Sequence, residues 1–579
     1  MVLRSRGRPV RSALVVLAVA LLVGTGTTGV ASAAPCTQAE AIARKYCELG
    51  EGGSVVGTPV SAPYAVGSGV AQDFTGGIIA WSPATGAHEV HGSIGVRYRQ
   101  AGGPSGFLGF PLTDEWPTPD LGGRFNHFQG GSIYWTSSTG AHEVHGAIRD
   151  KWSALGWERG LLGYPLTDEL PTPDGVGRFN HFQGGSVYWS PATGAHEVHG
   201  AIRDKWSALG WERGFLGYPL TDESATPDGI GRFNHFQGGS VYWSPATGAH
   251  EVHGLIRDRW SALGWERGVL GYPITDEFTV PGGRQSSFQG GFLRFTAATG
   301  AVRVANLAPY EHAGTWVTRF RFSREFAGPN PPIRPEDVDA MADAGVRVIY
   351  LQAASDDPPY PDLISPDLLG AFLVRAHARG MQVVGWYLPH FTDVAADLRR
   401  LRAIADFRSG GQAFDAVAVD IEDRTVADVD LRNARLVDLS RQLYAALPGV
   451  TLGAIVLPPV VTDVLSPTYW PRFPWTQLSG LYQVWMPMAY WSNRTDATWS
   501  DAYRYTRENI LRTRTNLGEF CPVVSVIGGF GTTETAADYA GMARAAAETG
   551  AVGVSIFDWT TTPPASWPPV RGYDVRGGC

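Results

Sequence analysis

Cysteine, methionine and charge are all scarce in this sequence, with 4 Cys, 6 Met and 18% charged residues in 579. Four cysteines without clustered histidine partners exclude a zinc ribbon. No Lys/Arg run follows the N-terminus, and setting aside Arg4, Arg6, Arg8 and Arg11 takes the formal charge from −8 to −12. Nucleic-acid binders carry the opposite balance, so no nucleic-acid partner is expected. There is no Gly-x-Ser-x-Gly elbow, no His-Glu-x-x-His helix and no cysteine placed as a nucleophile, which argues against esterases and peptidases. What is present is 44% apolar residues, 72 Gly, 40 Pro and 66 aromatics. That composition excludes a disordered chain and suits many turns and flat apolar surfaces of the kind that bind sugars.

The N-terminus predicts export. Four arginines precede the apolar run Ala13 to Val23, too short for the roughly 20 residues that span a bilayer, and Ala31-Ser32-Ala33 offers small residues for cleavage. Residues 1–33 therefore read as a signal peptide, with no membrane anchor after its removal. An oxidising compartment predicts paired cysteines, Cys36 with Cys47 and Cys521 with Cys579.

Self-similarity dominates the first half. Phe128-Gln129-Gly130-Gly131 recurs at Phe182, Phe236 and Phe288, and Phe74-Thr75-Gly76-Gly77 is a weaker first copy. A companion, Leu108-Gly109-Phe110-Pro111, returns from Leu162, Leu216 and Leu270, with Val56-Gly57-Thr58-Pro59 as its degenerate first member. Each unit starts at an isoleucine (Ile42, Ile94, Ile148, Ile202, Ile256) and predicts one short helix, a turn, a hairpin around Gln-Gly-Gly and a third small strand. Such units cannot bury a core alone, so five of them are expected to pack on each other as a ring or propeller-like module. The motifs resemble the LGFP repeat family of exported actinobacterial proteins over residues 36–306. That resemblance implies a cell-wall-binding module whose partner is arabinogalactan or peptidoglycan.

Eleven of the 14 histidines fall in the repeats. His142 and His145, three apart on a strand, point to opposite faces, so structural or sugar-contacting roles are expected and no metal. Most repeated aromatics are expected in the core, with Trp157, Trp211 and Trp265 the better candidates for exposure.

From Leu307 the period vanishes, and the remainder, 307–579, has the length of one α/β barrel. Strand-like runs at 315–320, 346–352, 381–387, 416–421, 451–457, 482–488, 523–527 and 552–557 alternate with helical patterns at 335–344, 366–379, 394–406, 427–446, 499–513 and 533–549. The count predicts a (β/α)8 TIM barrel with its chemistry where strands end. On the fourth run Asp420 and Glu422 lie two apart and share the inward face. Paired carboxylates there can divide acid and electrostatic roles. Other strand ends add Arg319, Gln352, Trp386, Tyr387, His390, Tyr490, Trp491, Asp558 and Trp559 as candidate substrate contacts.

This constellation resembles chitinase-like enzymes and Chalaropsis-type lysozymes, whose fourth strand ends Asp-x-Glu. The resemblance implies Glu422 as general acid, Asp420 as its electrostatic partner and Tyr490 as a substrate ligand, without a cofactor. The chain departs from the chitinase pattern at Ala418, and from the lysozymes at Thr318-Arg319, where they carry an Asp. Together the two halves predict a secreted, wall-associated glycoside hydrolase. The alternative is a noncatalytic wall-binding or scaffolding protein with an inactive barrel.

Overall fold

A computed structural model describes residues 41–357, 362–519, 522–531 and 533–574. The signal segment, Cys36, Cys521 and Cys579 lie outside the described residues. Cys47 is disulfide-bonded. Among the described residues no helix is long and apolar enough to cross a membrane.

The described residues form five four-stranded antiparallel sheets and one closed eight-stranded parallel barrel. It divides into two compact units, the first running to Pro117 together with Arg124–Ile133, the second comprising Thr118–Gly123 and everything from Tyr134 onward.

The repeat beginning at Ile202 shows how each unit is built. A helix, Gly200–Ala208, buries Ile202 and Trp206 one turn apart and stops at Gly210, whose φ of 96° is left-handed. A 3-10 turn, Trp211–Arg213, leads to strands Ser224–Ala225, Arg232–Phe236, Gly239–Ser244 and Gly248–His253, paired in that order. The first, two-residue strand is one more than the sequence suggested, because its Pro-Asp-Gly surroundings read only as loop.

The two recurring motifs turn out to be one hydrogen-bonded clasp. The Gln237 side chain accepts from the Tyr218 amide at 3.0 Å, the Gln237 amide donates to the Tyr218 carbonyl at 3.0 Å, and Gly238 donates to Leu216 at 2.9 Å. Gly217 is held at φ +66°, where an added Cβ would meet Gln237 Oε1 at 2.6 Å. In the first repeat Thr75 Oγ1 takes over the glutamine's part and accepts from the Thr58 amide at 3.1 Å. The motif tyrosine also joins neighbouring repeats, since Tyr218 Oη reaches back to Asp174 at 2.8 Å and Thr172 at 2.9 Å. Trp152, Trp206 and Trp260 are fully buried, as expected of the core set.

The histidines are committed to the sheets. His199 lies between Glu197 at 2.8 Å and Glu223 at 3.0 Å, and His196 Nε2 contacts the Thr193 carbonyl at 3.0 Å.

The barrel strands are β1 (His312–Val317), β2 (Val348–Gln352), β3 (Gln382–Tyr387), β4 (Ala416–Ile421), β5 (Leu452–Val456), β6 (Val484–Ala489), β7 (Val523–Phe530) and β8 (Gly553–Phe557). They pair in sequence order, and β8 closes on β1. Two strands end three residues away from expectation, and the others shift by two residues or fewer. β1 ends three residues earlier because the chain turns at Thr318 into a helix, Arg319–Phe322, with the Arg319 amide donating to Gln352 Oε1 at 2.9 Å. β7 runs three residues further, through Gly528 and Gly529, by way of a register shift. Helices start two or three residues later than the pattern suggested at Val429, Ala502 and Ala536, because Asp428, Asp501 and Thr535 cap them.

The boundary near Leu307 is a rigid joint. Pro309 and Tyr310 are buried in a 3-10 turn, and Tyr310 Oη donates to the Val417 carbonyl at 2.9 Å from beneath the barrel. The last repeat docks alongside. Buried Arg303 donates to the carbonyls of Tyr444 and of Leu447, the latter at 3.0 Å, and its guanidinium lies 3.5 Å from the Tyr444 ring centre. Asn306 and Thr451 exchange two hydrogen bonds, at 3.0 and 2.9 Å. An Arg303→Met change strands two carbonyls at a buried joint and should lower stability by about 2 kcal/mol, more than a surface substitution would. Thermal unfolding followed by circular dichroism checks this, and an unchanged melting curve would show that the joint contributes nothing.

Candidate active site

At the C-terminal ends of the strands the barrel opens into a cavity of about 730 Å³. Asp420 and Glu422 line it from β4 and the residue just past it, as the two-residue spacing predicted. Asp420 is 7% exposed, and its Oδ1 has no hydrogen-bond partner. Burial, and then the charge of Glu422, hold the Asp420 carboxyl well above the usual range. Glu422 is also raised, by burial first and then by the charge of Asp423. Two such carboxyls facing one cavity favour a state that retains a proton.

Tyr490 follows β6 and lines the same cavity. Its phenol is pushed far above the ordinary value by burial and then by Glu422, Asp420 and Asp558, so it stays a donor. Asp558, just past β8, is 2% exposed and differently held. It accepts from Arg321 at 3.1 Å, from Thr560 Oγ1 at 2.6 Å and from the Thr560 and Thr561 amides at 3.0 and 3.1 Å. That shell fixes the orientation of the Asp558 carboxyl on the cavity wall.

The walls are aromatic. Trp316 and Trp386 meet edge to face at 5.7 Å, and each indole N–H is satisfied inside the barrel, on Ser555 Oγ at 3.0 Å and on the Tyr350 carbonyl at 3.2 Å. Phe530 stacks on Phe557 at 5.5 Å, with Tyr490 5.9 Å from Phe557. Phe320 and Phe530 stand 57% and 48% exposed at the rim. Flat apolar faces beside a few oriented polar groups suit a sugar chain.

Of the residues expected here, Asp420, Glu422, Tyr490, Trp386, Arg319, Gln352 and Asp558 line the cavity. Four others do not. Tyr387 alternates with Trp386, so it points outward, where its hydroxyl donates to Asp397 at 2.6 Å. Trp491 is 2% exposed and packs edge-on against Tyr539 at 5.6 Å. Trp559 packs on Trp567 at 5.3 Å. His390 is held beside the mouth by Asp356 and lies 3.8 Å from Asp423. Residues not anticipated are Trp316, Phe320, Arg321, Asn493, Phe530 and Phe557. Trp316 and Arg321 escaped because β1 was placed three residues late, and Phe530 because the glycines before it read as a strand end.

A model of the LGFP repeat matches residues 56–106, 108–160, 162–214, 216–268 and 270–314. No curated protein matches the sequence. Among solved structures, the chain is similar to an endo-β-1,4-mannanase from Thermotoga petrophila (10% identity, 46% of this chain and 76% of that chain, TM-score 0.34). It is likewise similar to a family GH18 chitinase from Cycas revoluta solved with allosamidin (11% identity, 46% and 100%, TM-score 0.34). A third is a spore cortex-lytic enzyme from Bacillus cereus (10% identity, 46% and 76%, TM-score 0.35). The repeats identified from their paired motifs are thus a run of five LGFP repeats, joined in this chain to a C-terminal (β/α)8 barrel.

Proposed function

We propose that this protein is an exported glycoside hydrolase that its LGFP repeats hold on an actinobacterial cell wall, arabinogalactan or peptidoglycan being the surface gripped. The observation that carries the catalytic reading is the buried, proton-retaining pair Asp420 and Glu422 facing an aromatic cavity at the barrel mouth. Export is supported by the N-terminal arginines, apolar run and small-residue site.

In this reading Glu422, the more accessible of the pair, protonates the glycosidic oxygen as its bond to the anomeric carbon breaks, and a water molecule then adds to that carbon and returns a proton to Glu422. Its raised pKa, from burial and then the charge of Asp423, keeps the proton on the acid to higher pH than an ordinary carboxyl would. When Glu422 becomes an anion its charge raises Asp420 further, so the deeper acid keeps its proton and the pair carries a single negative charge. Tyr490 remains a hydrogen-bond donor toward the same space. Asp558, oriented by Arg321 and the threonines, faces the positive charge that develops on the sugar ring.

Three outcomes test this. Glu422→Gln should lower turnover of a wall glycan or polysaccharide by about two to four orders of magnitude, and less on aryl glycosides whose leaving groups need no proton. Matching rates for variant and wild type would move the acid elsewhere. Asp423→Asn removes the charge that, after burial, holds Glu422 up, so the alkaline limb of the kcat profile should shift to lower pH. A limb that stays in place would uncouple Asp423 from the acid. For Asp420 the folded protein binds the proton more tightly than the unfolded chain, so its burial destabilises the fold increasingly as pH rises above about 4. Asp420→Asn should accordingly melt higher than wild type at pH 7 to 8, with the gap closing near pH 4. A lower melting temperature for the variant at pH 8 would contradict a neutral, unpartnered carboxyl.

A further inference from the structure

The turn that opens each repeat carries a residue that its backbone does not call for. Trp157, Trp211 and Trp265 all sit at φ near +57°, a left-handed conformation that strains a bulky side chain. The equivalent turn is filled by Gly103 in the second repeat and by Glu51 in the first, both at φ 54°. Glycine is the unstrained choice there. Part of the tryptophan's use lies inside the fold, where Trp211 meets the core residue Trp206 edge-on at 5.1 Å, and the part of its ring left exposed points to a second use.

At Trp211 that use has a shape. Trp211 stacks on Tyr188 at 5.8 Å, beneath the Arg203 guanidinium at 5.2 Å, and with Phe179 and His181 it borders a cavity of about 550 Å³. Glu212 lines the same cavity, is 7% exposed and has an Oε1 with no hydrogen-bond partner. The arrangement recurs one repeat later. Trp265 stacks on Tyr242 at 5.8 Å under Arg257 at 5.2 Å, and Glu266, 6% exposed, again leaves Oε1 unpartnered. The same unpaired buried oxygen beside the same aromatic cluster in two repeats is what a polar ligand would satisfy.

We propose that these two sites are subsites for neutral glycosyl residues. The sugar's apolar face would lie against the aromatic wall that the tryptophan forms with Phe179, or with Phe233 one repeat later, and one hydroxyl would bond the glutamate. Charge narrows the ligand class. Arg203 and Arg213 at the cavity disfavour an ammonium group, and the buried carboxyl disfavours an anion. A polyol ring with one apolar face satisfies both. The inference rests on the wall-gripping reading and gives it a place: two subsites at the period of the repeat, able to hold one polymer at two points.

The test uses the full-length protein and co-sedimentation with isolated actinobacterial walls, intact or stripped of arabinogalactan by mild acid, so that the two wall fractions reveal which polymer supplies the sugar. Glu212→Leu with Glu266→Leu removes the hydrogen-bonding groups at similar volume, and Trp211→Gly with Trp265→Gly restores the second repeat's choice at the turn. Each pair should weaken binding about a hundredfold, the loss expected when two linked contacts fail together. The leucine pair should keep the wild-type melting temperature or raise it. If the wild type binds walls and either folded pair binds within twofold of it, the subsites are overturned while wall gripping stands. If the wild type binds neither wall fraction, the gripping role falls and the subsites with it.

Discussion

A carboxyl kept out of water on the inner face of a closed parallel barrel, with one oxygen lacking any partner, is the constraint around which the mouth is arranged. Asp420 favours the neutral form because the ionised form is poorly solvated. Strand geometry then places Glu422 on the same face, where the two acids interact. The third acid avoids that conflict. Asp558 comes from another strand end, and Arg321 together with three threonine-derived donors engages its carboxyl. One mouth therefore holds carboxyls in two hydrogen-bonding environments, one with an unpartnered oxygen and one held by four donors.

The repeats answer a different constraint, that no single unit has enough interior. Each supplies one helix and a small sheet, and each borrows from its neighbour through the motif tyrosine and the tryptophan of its helix. The two sequence motifs recur together because glutamine and tyrosine exchange backbone and side-chain hydrogen bonds across the hairpin. At the end of the series the barrel takes the place of a sixth repeat. Arg303, Asn306 and Phe292 are satisfied by barrel groups instead of by another sheet.

Much of this was legible in residue order. The period, the clasp motifs and the β/α alternation are local patterns, and the Asp420 and Glu422 spacing fixes their common face whatever surrounds them. What the order of residues did not reveal depends on where the chain turns. Thr318 ends β1 because Gln352, on the neighbouring strand, captures the next amide, and no local signal announces that partner. Tyr387 was grouped with the site because it stands beside inward Trp386, yet adjacent positions on a strand face opposite ways, and Trp491 and Trp559, past their strand ends, turn away to pack on Tyr539 and Trp567. Phe530 reaches the rim only because two glycines permit a bulge that extends β7. The unpartnered oxygens of Glu212 and Glu266 likewise arise from packing and have no sequence signature.

The joint between the last repeat and the barrel lies at the N-terminal ends of the strands, around Tyr310, Thr451 and the helix end at Tyr444, whereas the cleft opens at their C-terminal ends. About six residues of strand, roughly 20 Å, separate the two. The last repeat therefore docks at the end of the barrel remote from the cleft, and none of its residues lines the cavity.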